Sequence, residues 1–136
     1  ADDIAGVCGG EAVVLGGNCQ GGRIMWEVAK TLRENGVRVD SLCLLEVTPT
    51  ETYDGRLLLM YGDKSVSHNP RLRGESNAPL PQASDLSITE IPGAHGEYFR
   101  SPGLDALTEA LKLELLRSAD GSSSCGFPTL PACESD

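Results

Sequence analysis

The sequence predicts an α/β fold built on a mostly parallel sheet of about four strands flanked by helices. Three observations predict it. Apolar runs of strand length recur at residues 12–15, 39–45, 56–61 and 86–91. Helical three- and four-residue spacing of apolar positions appears after the first of these runs and again after the last. The strands alternate with helices or with long connections, which is the pattern of parallel pairing rather than of hairpins.

The elements follow in order. Residues 1–10 are small and Gly-rich and read as the end of a helix or a connector. Residues 12–15 (AVVL) form a short apolar run stopped by Gly16-Gly17, as expected of a buried strand. Residues 23–35 carry Ile24, Val28, Ala29 and Leu32 on one helical face, and Gly36 supplies the stop. Residues 39–45 (VDSLCLL) are almost continuously apolar from Leu42, as a strand covered on both faces should be. Asp54-Gly55 signals a turn before the third strand, residues 56–61 (RLLLMY), which Gly62-Asp63 closes. Residues 64–85, with Pro70, Pro79 and Pro81, read as a long loop with at most a short helix. The fourth strand is 86–91 (LSITEI). After a loop holding His95, Ser101-Pro102 opens a last helix with the stripe Leu104, Leu107, Leu111 and Leu115. Residues 119–136 are Ser-, Gly- and Pro-rich and are expected to be a disordered tail, leaving 1–118 as the folded domain.

A chain of 136 residues with 40% hydrophobic residues suffices for one modest domain with a core. The net charge of −9, from 20 acidic against 11 basic residues, argues against nucleic acid and against an anionic membrane as partners. No apolar run reaches the ~18 residues of a membrane span, and no signal-peptide pattern opens the chain, so a cytoplasmic location is the expectation. Five scattered cysteines without CxxC pairs fit neither a zinc ribbon nor a disulfide scaffold and read as reduced thiols, with Cys43 in the core. Two histidines far apart in sequence give no metal site, so none is expected.

The chemistry concentrates in Gly17-Asn18-Cys19-Gln20-Gly21, set between a strand and a helix. This is the G-x-nucleophile-x-G elbow with cysteine as the nucleophile. Small residues at Gly17 and Gly21 clear a tight turn, and the Gln20 N–H at the helix start can face a developing oxyanion. The helix N-terminus favours the thiolate of Cys19. A cysteine nucleophile needs a base, and His95 stands after the fourth strand, at the C-terminal edge of the sheet where such sites form. His68 lies in a polar loop and reads as a surface residue. Two strand-end carboxylates, Glu46 and Asp63, could each orient the histidine, and position alone does not choose between them. Glu90, Glu97 and Glu109 read as solvated charges, and Trp26 as packing.

From Leu15 to about Pro49 the text GGNCQGGRIMWEVAKTLRENGVRVDSLCLLE resembles the thioesterase domains of nonribosomal peptide and polyketide synthases. The stretch 91–99 (IPGAHGEYF) and the helix after it are similar to that family's closing histidine segment. The resemblance implies part of an α/β-hydrolase fold, its C-terminal portion, completed by a missing N-terminal half or by another chain. It implies a thioesterase or acyltransferase that takes an acyl or peptidyl chain from phosphopantetheine on an acyl or peptidyl carrier protein, with no bound cofactor. It places the catalytic acid on Glu46 and the base on His95. Serine gives way to Cys19, aspartate to Glu46, and the helical lid to a short connection. Two alternatives stay open: a polyester-synthase-like acyltransferase, and a non-catalytic hydrolase-like docking module.

Overall fold

A computed structural model of the chain describes residues 2–74 and 79–122. The elements are α1 (Asp2–Cys8), β1 (Val13–Asn18), α2 (Gln20–Glu34), β2 (Val39–Leu45), β3 (Tyr53–Gly62), β4 (Ala83–Ile91) and α3 (Gly103–Ser122), with a 3₁₀ turn at Glu97–Phe99. The strands form one sheet in the order β1-β2-β3-β4, and every neighbouring pair is parallel. The sequence expectation of a four-stranded parallel α/β sheet flanked by helices is met.

Alternation along the strands builds two cores. Successive side chains of a strand point to opposite faces. Leu42 and Leu44 of β2 therefore join Leu57, Leu59 and Tyr61 of β3 on one face, under Trp26, Ala29 and Leu32 of α2. Cys43 and Leu45 join Leu58 and Met60 on the other, under Tyr98 and Leu107. A strand sandwiched this way has no polar face, which is why β2 and β3 read as continuous apolar runs. Trp26 is a packing residue, its ring tilted against Tyr53 at 5.3 Å between centroids.

In both helices the buried stripe overlaps the predicted one only in part: Ala29, Leu32 and Leu107 are buried as expected, with Val28 and Leu111 packed against the core. Ile24 is 59% exposed, and α2 also buries Gly22 and Trp26. In α3, Leu104 and Leu115 face solvent, while Leu107, Glu114 and Ser118 are buried. Glu114 is buried because Ser41 Oγ donates to its Oε1 at 2.6 Å and Arg117 lies 3.4 Å from its Oε2. A carboxylate thus holds the end of α3 onto β2, a pairing that hydrophobic periodicity cannot signal. The helix also runs past Ser118 to Ser122, so the first residues of the expected tail belong to it, and residues 123–136 lie outside the described residues. Among the described residues, no helix is long and apolar enough to cross a membrane.

Cys43 is 3% exposed, and burial pushes its thiol up to about 11 from an ordinary value of 9.0. The neutral form is the one the fold accommodates. Its contribution to stability is therefore complete below pH 9 and lost as pH rises toward 11. Alkylation at pH 8 is expected to spare Cys43 and to modify it only with unfolding, as read by peptide mass mapping with and without urea.

Candidate active site

The site is assembled where the C-terminal ends of β1, β2 and β4 meet the start of α2. Cys19 occupies the turn between β1 and α2 with φ 50° and ψ −119°, a positive φ that a side chain rarely adopts. Its N–H donates to Leu45 O at 2.9 Å, which fixes the turn on the neighbouring strand. No side chain caps α2, so the first-turn N–H groups, Gln20 foremost, keep their donor capacity.

The glycine requirement is sharper than the motif suggests. A Cβ on Gly17 would sit 2.5 Å from Gly21 O and 2.7 Å from Gly22 N, both backbone atoms that cannot yield. A Cβ on Gly22 would meet Val47 Cγ2 at 2.7 Å and Gly17 O at 3.0 Å. A Cβ on Gly21 meets nothing within 4 Å. The crowded pair is therefore Gly17 and Gly22, not Gly17 and Gly21 as the elbow pattern implied. The reason is that the first turn of α2 swings Gly22 back over the strand, while Gly21 faces outward. Gly17→Ala is expected to cost about 2 kcal/mol or more in urea unfolding, by overpacking against backbone. Gly21→Ala is expected to be neutral or slightly stabilising, since Ala is the better helix residue.

Glu46 follows β2 with φ 62°, and its side chain is fully buried. Oε1 accepts from Gly62 N at 2.5 Å, and Oε2 accepts from the Ser65 hydroxyl. Gly62 must be glycine for this approach, because a Cβ there would lie 2.5 Å from Gly93 O and 3.3 Å from Glu46 Oε1. His95 Nδ1 lies 3.3 Å from Glu46 Oε2. Asp63, the other acid the sequence left open, instead accepts from Gly93 N at 2.8 Å and so fastens the loop after β4.

His68 corrects the sequence reading. It is not a solitary surface residue, because its ring stacks on that of His95, with centroids 4.2 Å apart and planes 11° from parallel. Its Nδ1 lies 3.4 Å from Glu46 Oε2 and 2.8 Å from Ser67 Oγ. One ligand-capable atom each from Cys19, His68 and His95 falls within 4.8 Å of those of the other two. The two histidines, distant in sequence, are neighbours in space.

Residues that sequence reasoning set aside hold this arrangement. Asn69 is buried, donating Nδ2 to Gly62 O at 3.1 Å and to Glu90 Oε1 at 2.8 Å, while Arg71 pairs with Glu90 at 2.7 Å. Glu90 thus ties the His68 loop to β4 rather than sitting solvated. Glu97 Oε2 accepts from Ala94 N at 2.9 Å, and Glu97 N donates to Ala94 O at 3.0 Å, closing the turn that carries His95. Tyr98 is buried and donates to Asn18 Oδ1 at 3.0 Å, so the histidine loop is clamped to the residue before Cys19. Burial raises the Tyr98 hydroxyl above its ordinary value, which keeps it a donor. Glu109 meets only the neighbouring Lys112 at 3.8 Å with both side chains exposed, as expected of a solvated charge.

Two openings flank the site. A surface cavity of about 650 Å³ lies beside His95 and is lined in part by Lys64, Glu97 and Arg100. A smaller one of about 300 Å³ runs along Arg23, Trp26, Val47 and Pro49, where the β2–β3 connection is only residues 46–52. Cys8, Cys19 and Cys43 are free thiols.

No family model matches the chain, and no match was found among curated proteins. Among solved structures it is similar to the Vlm2 thioesterase domain with genetically encoded 2,3-diaminopropionic acid, bound with a dodecadepsipeptide. The TM-score is 0.61 at 17% identity, covering 81% of this chain and 71% of that one. At that identity the likeness concerns architecture alone: this chain has a thioesterase-like α/β fold.

Proposed function

We infer that the chain is an acyl-transfer domain in which Cys19 is the nucleophile, His95 its general base and Glu46 the acid that orients the imidazole. The observation that carries this reading is the positive-φ Cys19 at a strand–helix elbow, with an imidazole nitrogen within 4.8 Å and a buried carboxylate 3.3 Å behind that ring. Strain at one residue, held by glycine crowding on both sides, is a common mark of a functional position.

The chemistry follows from the groups. His95 takes the thiol proton, and the sulfur attacks the carbonyl of an acyl or peptidyl thioester borne on a carrier protein's phosphopantetheine. The Gln20 N–H, at the uncapped start of α2, stabilises the oxyanion. Collapse of the tetrahedral intermediate expels the pantetheine thiol, which takes its proton back from His95. Water, or an amine or hydroxyl within the chain, then releases the acyl group. An enzyme-bound thioester keeps about the energy of the incoming one, which favours onward transfer to an internal nucleophile. The cations Lys64 and Arg100 in the cavity beside His95 suit the phosphate of the tethered arm, against a chain that is acidic overall. The depsipeptide bound to the similar thioesterase domain makes a peptidyl substrate the favoured one.

The test is intact-mass analysis after incubation with a peptidyl thioester, followed by peptide mapping. One acyl adduct on the peptide holding Cys19 is expected. An adduct distributed over Cys8 and the other thiols would show ordinary thiol exchange and sink the reading.

A further inference from the structure

We propose that Cys19, His68 and His95 also form a binding site for a single Zn²⁺ ion, whose occupancy and acyl transfer exclude each other. The regulatory half of this proposal rests on Cys19 and His95 being the acyl-transfer pair; the metal site itself does not.

An acyl-transfer triad needs one imidazole. This site holds two, stacked at 4.2 Å, and both present Nδ1 to the same carboxylate oxygen, at 3.3 Å and 3.4 Å. A ring that donates Nδ1–H to a carboxylate keeps its Nε2 lone pair for a ligand, and a carboxylate behind a histidine is the usual support of a zinc-bound imidazole. Glu46, held by Ser65 and the Gly62 N–H, backs the His95 ring, and Ser67 Oγ, 2.8 Å from His68 Nδ1, can accept from the other ring. One thiolate and two imidazoles are a borderline-soft set suited to zinc. Three protein ligands leave a fourth tetrahedral position for water.

The geometry requires only a modest closure. Zinc bonds of about 2.0 Å to nitrogen and 2.3 Å to sulfur place tetrahedral ligands about 3.3–3.6 Å apart. The ligand atoms lie within 4.8 Å of one another already. Both histidines are on loops rather than on the sheet, so the rings can converge without moving a strand. The His95 side chain is 42% exposed and that of His68 30%, which leaves a path for the ion. The charges balance as well. Cys19 gives up its proton to solvent as the Zn–S bond forms, and the thiolate with the Glu46 carboxylate then offsets the dication. The sulfur lone pair and the His95 lone pair spent on zinc are the ones that attack and proton abstraction need, so the bound form is inert.

Metal-free full-length chain is titrated with Co²⁺, a spectroscopic stand-in for zinc, and separately labelled with a peptidyl thioester in the presence and absence of Zn²⁺. The expected result is a thiolate-to-cobalt charge-transfer band saturating at one ion per chain. It should vanish in Cys19→Ser and weaken by about 10²-fold or more in His68→Ala, since loss of a ligand costs at least as much as loss of its support. Labelling of the wild type should stop at one equivalent of Zn²⁺. Labelling of His68→Ala, compared with its own metal-free rate, should resist it. A band that is absent, that survives Cys19→Ser, or that is unchanged in His68→Ala overturns the proposal. Absent labelling in metal-free wild type alongside a normal cobalt band would instead remove the acyl-transfer reading and leave the metal site standing.

Discussion

Cys19→Ala is expected to abolish acyl-enzyme formation from a thioester and to lower turnover about 10⁴-fold or more. Removing the nucleophile of a concerted triad costs nearly all that the triad contributes. The fold should survive, because alanine keeps the Cβ at φ 50° and deletes one half-buried sulfur. Cys19→Gly separates strain from chemistry. Glycine adopts a positive φ freely, so this variant should be more stable than wild type by about 1 kcal/mol in urea unfolding, yet equally unable to form the adduct. A gain in stability with loss of function is the signature of strain kept for a purpose. Undiminished labelling of Cys19→Ala, or a glycine variant less stable than the alanine one, would count against the elbow.

Glu46→Ala has the second largest expected effect and acts on two quantities at once. It strands the Gly62 N–H and the Ser65 hydroxyl in a buried space, at about 1–3 kcal/mol each. It also frees His95 from the carboxylate 3.3 Å from its Nδ1, for a labelling rate lower by about 10²–10⁴-fold. Glu46→Gln separates the two. The amide oxygen can still accept from Gly62, so much of the stability should return. The ring now faces a neutral group that cannot stabilise an imidazolium, so the rate should stay low. Urea midpoints and labelling rates of both variants decide the matter. A glutamine variant as fast as wild type would leave Glu46 with a purely structural duty.

The elbow shows where local sequence suffices and where it stops. Gly17 and Cys19 were legible because a strand run, a glycine pair and a helical period meet at one turn, all within a few residues. Gly22 was missed because the five-residue pattern ends before it, and its crowding against Val47 comes from the connection after β2. Glu46 and Asp63 looked equivalent from their strand ends. What separates them is the fold of the loop after β4, which presents its Gly93 N–H to one and the His95 ring to the other. Glu114 was hidden for a similar reason: its partner, Ser41, is 73 residues earlier.

By itself the sequence determined the parallel four-stranded sheet, the two helices that cover it and the strained thiol at its edge. These follow from side-chain alternation, helical spacing and steric limits on the backbone, all of them short-range. Only the tertiary structure decided which carboxylate stands behind His95, and that His68 stacks on it. Those contacts depend on two loops folding back over the strand ends, held by Asn69, Glu90, Glu97 and Tyr98. Hydrogen bonds between distant segments leave no periodic trace in the chain that makes them.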